Sequence, residues 1–293
     1  MRIQTTSLPP TKQGFPILLF QSPSSRAINV GYIQRQGKKQ SFIPGRLNYG
    51  SGRILDTNQA TIESLQTPFA QRILKKYHPK NISTLVIMRE AIACNLPVAL
   101  SRAGVNRHFG DIFIGATHIK DASGIHTDYR YENTEGLAKN GLWIAADSIC
   151  MGRSFIPTFK SLFSKGFIPK EILFIIPLGS RRGIENFSSI LKEHNVKASF
   201  IAWGALFGVG DNLYDMPWGH PDAEPLDKRD QQVFVDMYND KLCVGGDFGN
   251  YYFAPYLAQK FYDMQLRELN IVPKIPSAKK ILATYKPGEI LIK

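Results

Sequence analysis

The sequence predicts an α/β protein: a central parallel sheet flanked by helices, with a small hood or lid. Two observations carry that expectation. Short, nearly continuous apolar runs at residues 96–100, 111–116, 142–146, 171–177 and 197–202 read as strands buried on both faces. Between the last three lie two helical segments, so strand and helix alternate as they do around a parallel sheet. The 293-residue chain is 43% hydrophobic and 20% charged, enough apolar material to bury a core without staples.

The helices have recognisable ends. Residues 154–165 place Phe155, Phe159, Leu162 and Phe163 on one face, with Ser154 as the expected cap and Gly166 as the stop. Residues 183–194 align Ile184, Phe187, Ile190 and Leu191. Upstream, Ile62, Leu65, Phe69 and Ile73 recur at three and four residues, predicting one helix over 57–78 that Pro68 kinks. Residues 1–50, rich in Pro, Gly, Ser and Gln, read as an N-terminal arm or extension with a few edge strands.

Charge and cysteine usage narrow the partners. An excess of 12 positive charges, from 36 basic and 24 acidic residues, favours anionic partners. The basic residues are scattered and no nucleic-acid-binding module is recognisable, so a phosphorylated small molecule ranks above nucleic acid. No apolar run approaches the length of a membrane span, so no membrane partner is expected. Cys94, Cys150 and Cys243 are odd in number and widely spaced, which fits a reducing cytoplasm better than a disulfide framework.

In a parallel sheet, ligands bind beyond the carboxyl ends of the strands, so the loops there hold the candidate chemistry. After the 142–146 strand comes Asp147-Ser148-Ile149-Cys150-Met151-Gly152-Arg153-Ser154, leading straight into a helix. Helix-start amides favour an anion, Gly152 allows close backbone approach, Ser154 adds a hydroxyl, and Asp147 can accept from ribose hydroxyls. An ordinary strand-to-helix turn has the same spacing. After the 96–100 strand comes Ser101-Arg102-Ala103-Gly104, which suits a diphosphate held by backbone and guanidinium, or simply a glycine turn with a surface arginine. Residues 208–213, with Asp211, Asp215, His220 and Asp222 near them, read as a polar lid more readily than as a metal cluster. Trp203, Trp218, Tyr251 and Tyr252 could stack a base or simply pack.

Taken together, the two loops resemble those of phosphoribosyltransferases, closest to the uracil kind. Leu100-Ser101-Arg102-Ala103-Gly104 is similar to that family's diphosphate loop, and residues 146–154 to its phosphoribosyl loop. Val244-Gly245-Gly246-Asp247-Phe248-Gly249-Asn250 is similar to its base-binding segment, and residues 115–147 match its hood in length, with His118 and His126 inside. The resemblance spans roughly residues 80–255, which implies a domain over 51–255 followed by a C-terminal extension over 256–293.

The resemblance implies transfer of a phosphoribosyl group from its pyrophosphate to a pyrimidine-like base, with Mg2+ entering through the phosphorylated ligand, in a homo-oligomer. It gives Arg102 and Asp147 catalytic roles. Phosphate and ribose would fall to Gly104, Ser148, Met151, Gly152, Arg153 and Ser154, and the base to Gly245, Gly246, Asp247 and Asn250. Four positions depart from the family pattern: Ala146 lacks the usual first carboxylate, Met151 and Arg153 replace a hydroxyl and a glycine, and Asn250 replaces an aspartate. The alternative they favour is a nucleotide- or phosphoribosyl-sensing protein without turnover.

The charge reading is directly testable. Any binding to duplex or single-stranded nucleic acid should be weak and fall by about a thousandfold or more between roughly 50 and 200 mM salt. Fluorescence anisotropy across that range checks it; tight, sequence-selective binding at the upper end would restore nucleic acid as the partner.

Overall fold

The strands explain the architecture, because their side chains alternate between two buried faces with no polar side to give to water. Leu142, Ile144 and Ala146 join one hydrophobic cluster while Trp143 and Ala145 join another. Such strands require helices on both sides. The computed structural model describes residues 2–36, 39–121, 124–243 and 248–274 and shows that arrangement.

In chain order the first elements are β1 (Gln4–Leu8), β2 (Ile17–Gln21), α1 (Pro23–Asn29), and a hairpin of β3 (Gly31–Gln36) and β4 (Lys39–Pro44). Then come α2 (Ser51–Leu65), α3 (Pro68–Leu74), β5 (Ile82–Met88), α4 (Leu96–Arg102), β6 (Gly110–Asp121), β7 (Gly124–Glu132) and β8 (Leu142–Ala146). They are followed by α5 (Phe155–Ser164), β9 (Glu171–Ile176), β10 (Gly179–Ser180), α6 (Arg181–Glu193), β11 (Lys197–Trp203) and β12 (Ala205–Phe207). The last are β13 (Glu224–Pro225), α7 (Lys228–Tyr238), α8 (Phe248–Phe253) and α9 (Pro255–Glu268).

The main sheet runs β1-β2-β11-β9-β8-β5-β6-β7. Strands β2 to β6 of that order are parallel, and the outer pairs β1/β2 and β6/β7 are antiparallel. On one face α5 and α6 bring Phe155, Phe159, Ile184 and Phe187 against Trp143 and Phe174. Phe187 packs edge-on to Phe159 with ring centroids 4.8 Å apart. On the other face α2, α3 and α4 bring Leu65, Ile73, Leu96 and Leu100 against Ile144, Leu173 and Ile201. A third cluster, centred on Trp218, Phe234 and Tyr238, joins α7 and α9 to a small sheet ordered β10-β12-β13.

The α/β expectation holds, with four corrections. Residues 96–100 are helix, not strand: an apolar run of that length suits either, and Pro97 at the first turn fits a helix start. A strand the reading passed over, β5, lies instead at Ile82–Met88. The expected kinked helix is two helices, because Thr67 caps the second by accepting from the Ala70 amide and Pro68 begins it. Ser154 has helical backbone angles and makes no side-chain cap bond, so α5 begins without one. The N-terminal stretch also enters the sheet: β2 is fully buried between β1 and β11.

A buried ion pair joins that N-terminal stretch to α7. Arg26 Nη2 lies 3.1 Å from Asp230 Oδ1, with both side chains 1% exposed. Gln21 Nε2 donates to the other carboxylate oxygen at 2.7 Å. Removing one partner strands the other charge in the core. Asp230→Ala should therefore cost about 3–5 kcal/mol in denaturant unfolding, against about 0–1 kcal/mol for Glu132→Ala, whose partner Lys165 is half exposed. Equal costs would show that Arg26 reaches solvent.

Candidate functional site

The order of crossovers locates the candidate site. From β5 the chain moves outward to β6 and β7, then returns to the opposite side of β5 for β8, β9 and β11. The reversal lies between β5 and β8, which pair from Ile82↔Leu142 to Val86↔Ala146. At such a reversal the two following loops part and leave a crevice. Into it project the loop after β8, residues 147–154, and the turn after β5, residues 89–94.

The loop after β8 is held from beneath. Asp147 donates its amide to Ile175 O at 3.2 Å, and Ile149 bonds Leu178 O at 2.9 Å. Ser180 Oγ donates to Cys150 O at 2.5 Å while accepting from the Gly183 amide at 2.9 Å. Any side chain at Gly183 would collide with Cys150 O, so the start of α6 presses directly on the loop. Gly152 turns the chain at φ +81°, a conformation that suits glycine, and its carbonyl accepts the Ile156 amide at 2.9 Å as α5 begins. Above, Cys150 Sγ contacts Leu213 O at 3.8 Å, which brings the 208–215 segment over the loop.

Two carboxylates meet across the crevice. Asp147 follows β8 and Glu90 follows β5, and the pair shares a hydrogen bond. Ser148 links them: its amide donates to Asp147 Oδ1 and its hydroxyl to Glu90 Oε1, both at 2.8 Å. Burial, with the Glu90 charge beside it, holds the Asp147 carboxyl well above the usual carboxylate range. The surroundings are otherwise cationic. Arg89, Arg153 and Arg182 are exposed around the crevice. Burial pushes the Cys150 thiol up to about 11, with Asp215 adding to the rise and Arg153 and Arg182 opposing it.

Of the residues singled out from sequence, Asp147, Ser148, Met151, Gly152, Arg153 and Ser154 lie together in this loop. Asn250, buried on α8, reaches the same edge and accepts from Arg89 Nη1 at 3.4 Å. Gly245, Gly246 and Asp247 lie outside the described residues. Arg102 and Gly104 are not brought to the crevice. Helix α4 carries them back to the amino edge of the sheet, where Phe109 bonds Ile82 O at the start of β5. A glycine-arginine turn marks a ligand loop only if a strand precedes it, and here a helix does. The residues missed are Arg89 and Glu90; the signal was the β-branched run 82–88 immediately before them.

Trp203, Trp218, Tyr251 and Tyr252 are buried and pack within the core instead of facing the crevice. His118 and His126 fall on β6 and β7, the hairpin that stands at the sheet edge beyond β5, in a stretch whose side chains are outside the described residues. His220 lies against the backbone of Gly208, and the Asp222 amide donates to its Nδ1 at 3.1 Å. No helix among the described residues is long and apolar enough to cross a membrane.

No known family profile and no curated protein matches the sequence. Solved structures give distant matches. An adenine phosphoribosyltransferase from Thermoanaerobacter pseudethanolicus is 12% identical over 51% of this chain and 84% of its own, with a TM-score of 0.31. The adenine enzyme of Saccharomyces cerevisiae is 11% identical over 51% and 79%, with a TM-score of 0.32. A hypoxanthine phosphoribosyltransferase from Staphylococcus aureus is 13% identical over 47% and 72%, with a TM-score of 0.30. All three are named for purines, whereas the sequence motifs resemble the uracil enzymes. Likeness this distant assigns no residue a role, and the architecture rests on the strand topology itself.

The carboxylate pair has a signature in stability. With its folded-state pKa raised, Asp147 binds its proton more tightly folded than unfolded. The resulting penalty is absent below about pH 4 and grows as pH rises toward the raised value. Ligand-free Asp147→Asn and Glu90→Gln should therefore be more stable than the parent at neutral pH, with the difference closing on acidification. Denaturant melts from pH 4 to 8 check this; variants weaker than the parent at pH 7 would mean the two acids are not held against each other.

Proposed function

We propose that the crevice binds a phosphorylated ribose and transfers it from phosphoribosyl pyrophosphate to a pyrimidine-like base. One observation carries the reading: an aspartate, a glycine turn and a helix start share one loop at the sheet's reversal point, and a second carboxylate faces them from β5. That arrangement suits an anion at one end and sugar hydroxyls at the other.

In this reading Asp147 accepts hydrogen bonds from the ribose hydroxyls, while Ser148 and Glu90 fix its orientation. The amides of residues 151–154 receive the 5′-phosphate, with Gly152 admitting it closely and the Arg153 guanidinium and Ser154 hydroxyl donating to it. Arg89, on the same edge of the sheet, takes the diphosphate in place of Arg102. The sugar C1–oxygen bond breaks with its electron pair leaving on pyrophosphate, and a ring nitrogen of the base supplies the pair for the new C1–N bond. Positive charge that develops on the sugar ring faces the Asp147–Glu90 pair. No protein nucleophile is required, and positioning and electrostatics supply the catalysis.

Among the described residues no three metal-ligating side chains gather. A magnesium ion would enter with the ligand's phosphates, where it would neutralise the departing diphosphate. Asn250 and residues 245–247 would frame the base. On the same family resemblance, and on three cysteines that form no disulfide, we read the protein as cytoplasmic and homo-oligomeric.

The second reading, a ligand sensor, draws on Ala146, which places an apolar side chain where the family has its first acid. Calorimetry with uridine monophosphate and with magnesium–phosphoribosyl pyrophosphate, joined to a pyrophosphate-release assay over pyrimidines and purines, separates the two. Asp147→Asn should weaken binding by about ten- to a hundredfold, the equivalent of about 1.5–3 kcal/mol, and slow release further. Binding without release selects the sensor. Neither would remove the phosphoribosyl reading and leave the fold.

A further inference from the structure

Away from the crevice, two arginines are buried with no ion-pair partner among the described residues. Arg46, in the turn after β4, and Arg53, in the first turn of α2, are 2% and 1% exposed. Their guanidinium carbons lie 5.3 and 5.2 Å from the centre of one ring, that of Tyr251 on α8. Among the described residues neither forms an ion pair. The acid nearest Arg53 in sequence, Asp56, accepts from Asn48 Nδ2 at 2.8 Å instead.

Their polar contacts are neutral and incomplete. Arg46 Nη2 donates to Gln265 Oε1, and Arg53 Nη1 donates to Gly45 O and Asn48 O at 3.3 and 3.2 Å. Among the described residues, Arg46 Nε and Nη1, Arg53 Nε and the Tyr251 hydroxyl have no hydrogen-bond partner. Four unpaired donors in one neighbourhood is a pattern that calls for a missing acceptor. Arginine cannot shed its proton, and an aromatic face offsets only part of the cost of burying its charge. Water would satisfy the donors but not the charge.

We propose that Arg46, Arg53 and Tyr251 form an internal binding site for a phosphate-sized oxyanion, separate from the 147–154 loop. A tetrahedral oxyanion has acceptors for all four donors and supplies the negative charge that the pair lacks. The occupant must be compact, because Tyr238 and Tyr262 close the same space, with Tyr262 5.7 Å from Arg46. Helix α8 connects the site to the crevice, since Asn250 beside Tyr251 holds Arg89.

The test compares melting temperatures in chloride and in low-millimolar phosphate or sulfate at matched ionic strength. At such concentrations the general salting effect of these ions is small. Wild type and the double variant Arg153→Ala/Ser154→Ala should both gain several degrees in the oxyanion. Arg46→Met should gain nothing, and in chloride it should melt no lower than wild type, because it removes an unbalanced cation. If Arg46→Met does not fold, Tyr251→Phe keeps the ring over both guanidiniums and should weaken phosphate by about tenfold. A gain abolished in the double variant but kept in Arg46→Met or Tyr251→Phe would place the anion at the crevice and overturn the proposal. No oxyanion-specific gain in any protein would also overturn it, and would mean that a carboxylate of the chain itself balances the pair.

Discussion

The register between β5 and β8 is the constraint from which the candidate site follows. Because Val86 lies opposite Ala146 and β5 ends only two residues later, the residues that follow the two strands enter the same crevice. Burial of both faces leaves the strand ends as the only part of the sheet where polar side chains can gather without breaking the core. Glu90 and Asp147 are thus forced together by hydrogen bonds made several residues earlier, in a segment that is wholly apolar on β8 and carries the buried Ser83 and Thr84 on β5. Their mutual repulsion is a cost that the sheet imposes and that Ser148 partly relieves.

The same geometry bears on the residue at 146. A second carboxylate there would point into the hydrophobic cluster beneath α2 and α4, where Ala146 is fully buried. The chain instead presents a second acid just after the neighbouring strand, where Glu90 is itself buried. Where position 146 carries no acid, Glu90, 56 residues earlier in the chain, stands beside Asp147 instead. The two carboxylates therefore come from separate stretches of backbone and are tied together through Ser148.

Much of this was legible beforehand, for physical reasons that differ by element. β8, β9 and β11 announced themselves because long buried strands need continuous apolar runs, and α5 and α6 because one-faced helices need a stripe. The loop at 147–154 followed from those assignments. The run at 96–100 failed because five apolar residues carry no period, and as helix it carries Arg102 to the amino edge of the sheet, away from the crevice. β5 was overlooked because Ser83 and Thr84 interrupt its apolar character; both are buried, and their hydroxyls donate to Gly136 O and Asp111 Oδ1. Glu90 could not be read as part of the site at all until β5 was in place. The paired arginines at 46 and 53 were also invisible in sequence, since nothing in a basic residue's neighbours announces that it will be enclosed.

The position of β2 has a consequence for how the chain is made. It is synthesised about 180 residues ahead of its parallel partner β11, which begins at Lys197. Until then Ile17, Leu18, Leu19 and Phe20 have only the short β1 for company, and an isolated hairpin is barely stable in water. The sheet therefore cannot assemble in the order of translation, and closing so long a loop makes docking of β2 a late and slow event. An apolar strand kept waiting is exposed to mispairing with other nascent chains, so the yield of native protein should depend on how well β2 is shielded during synthesis.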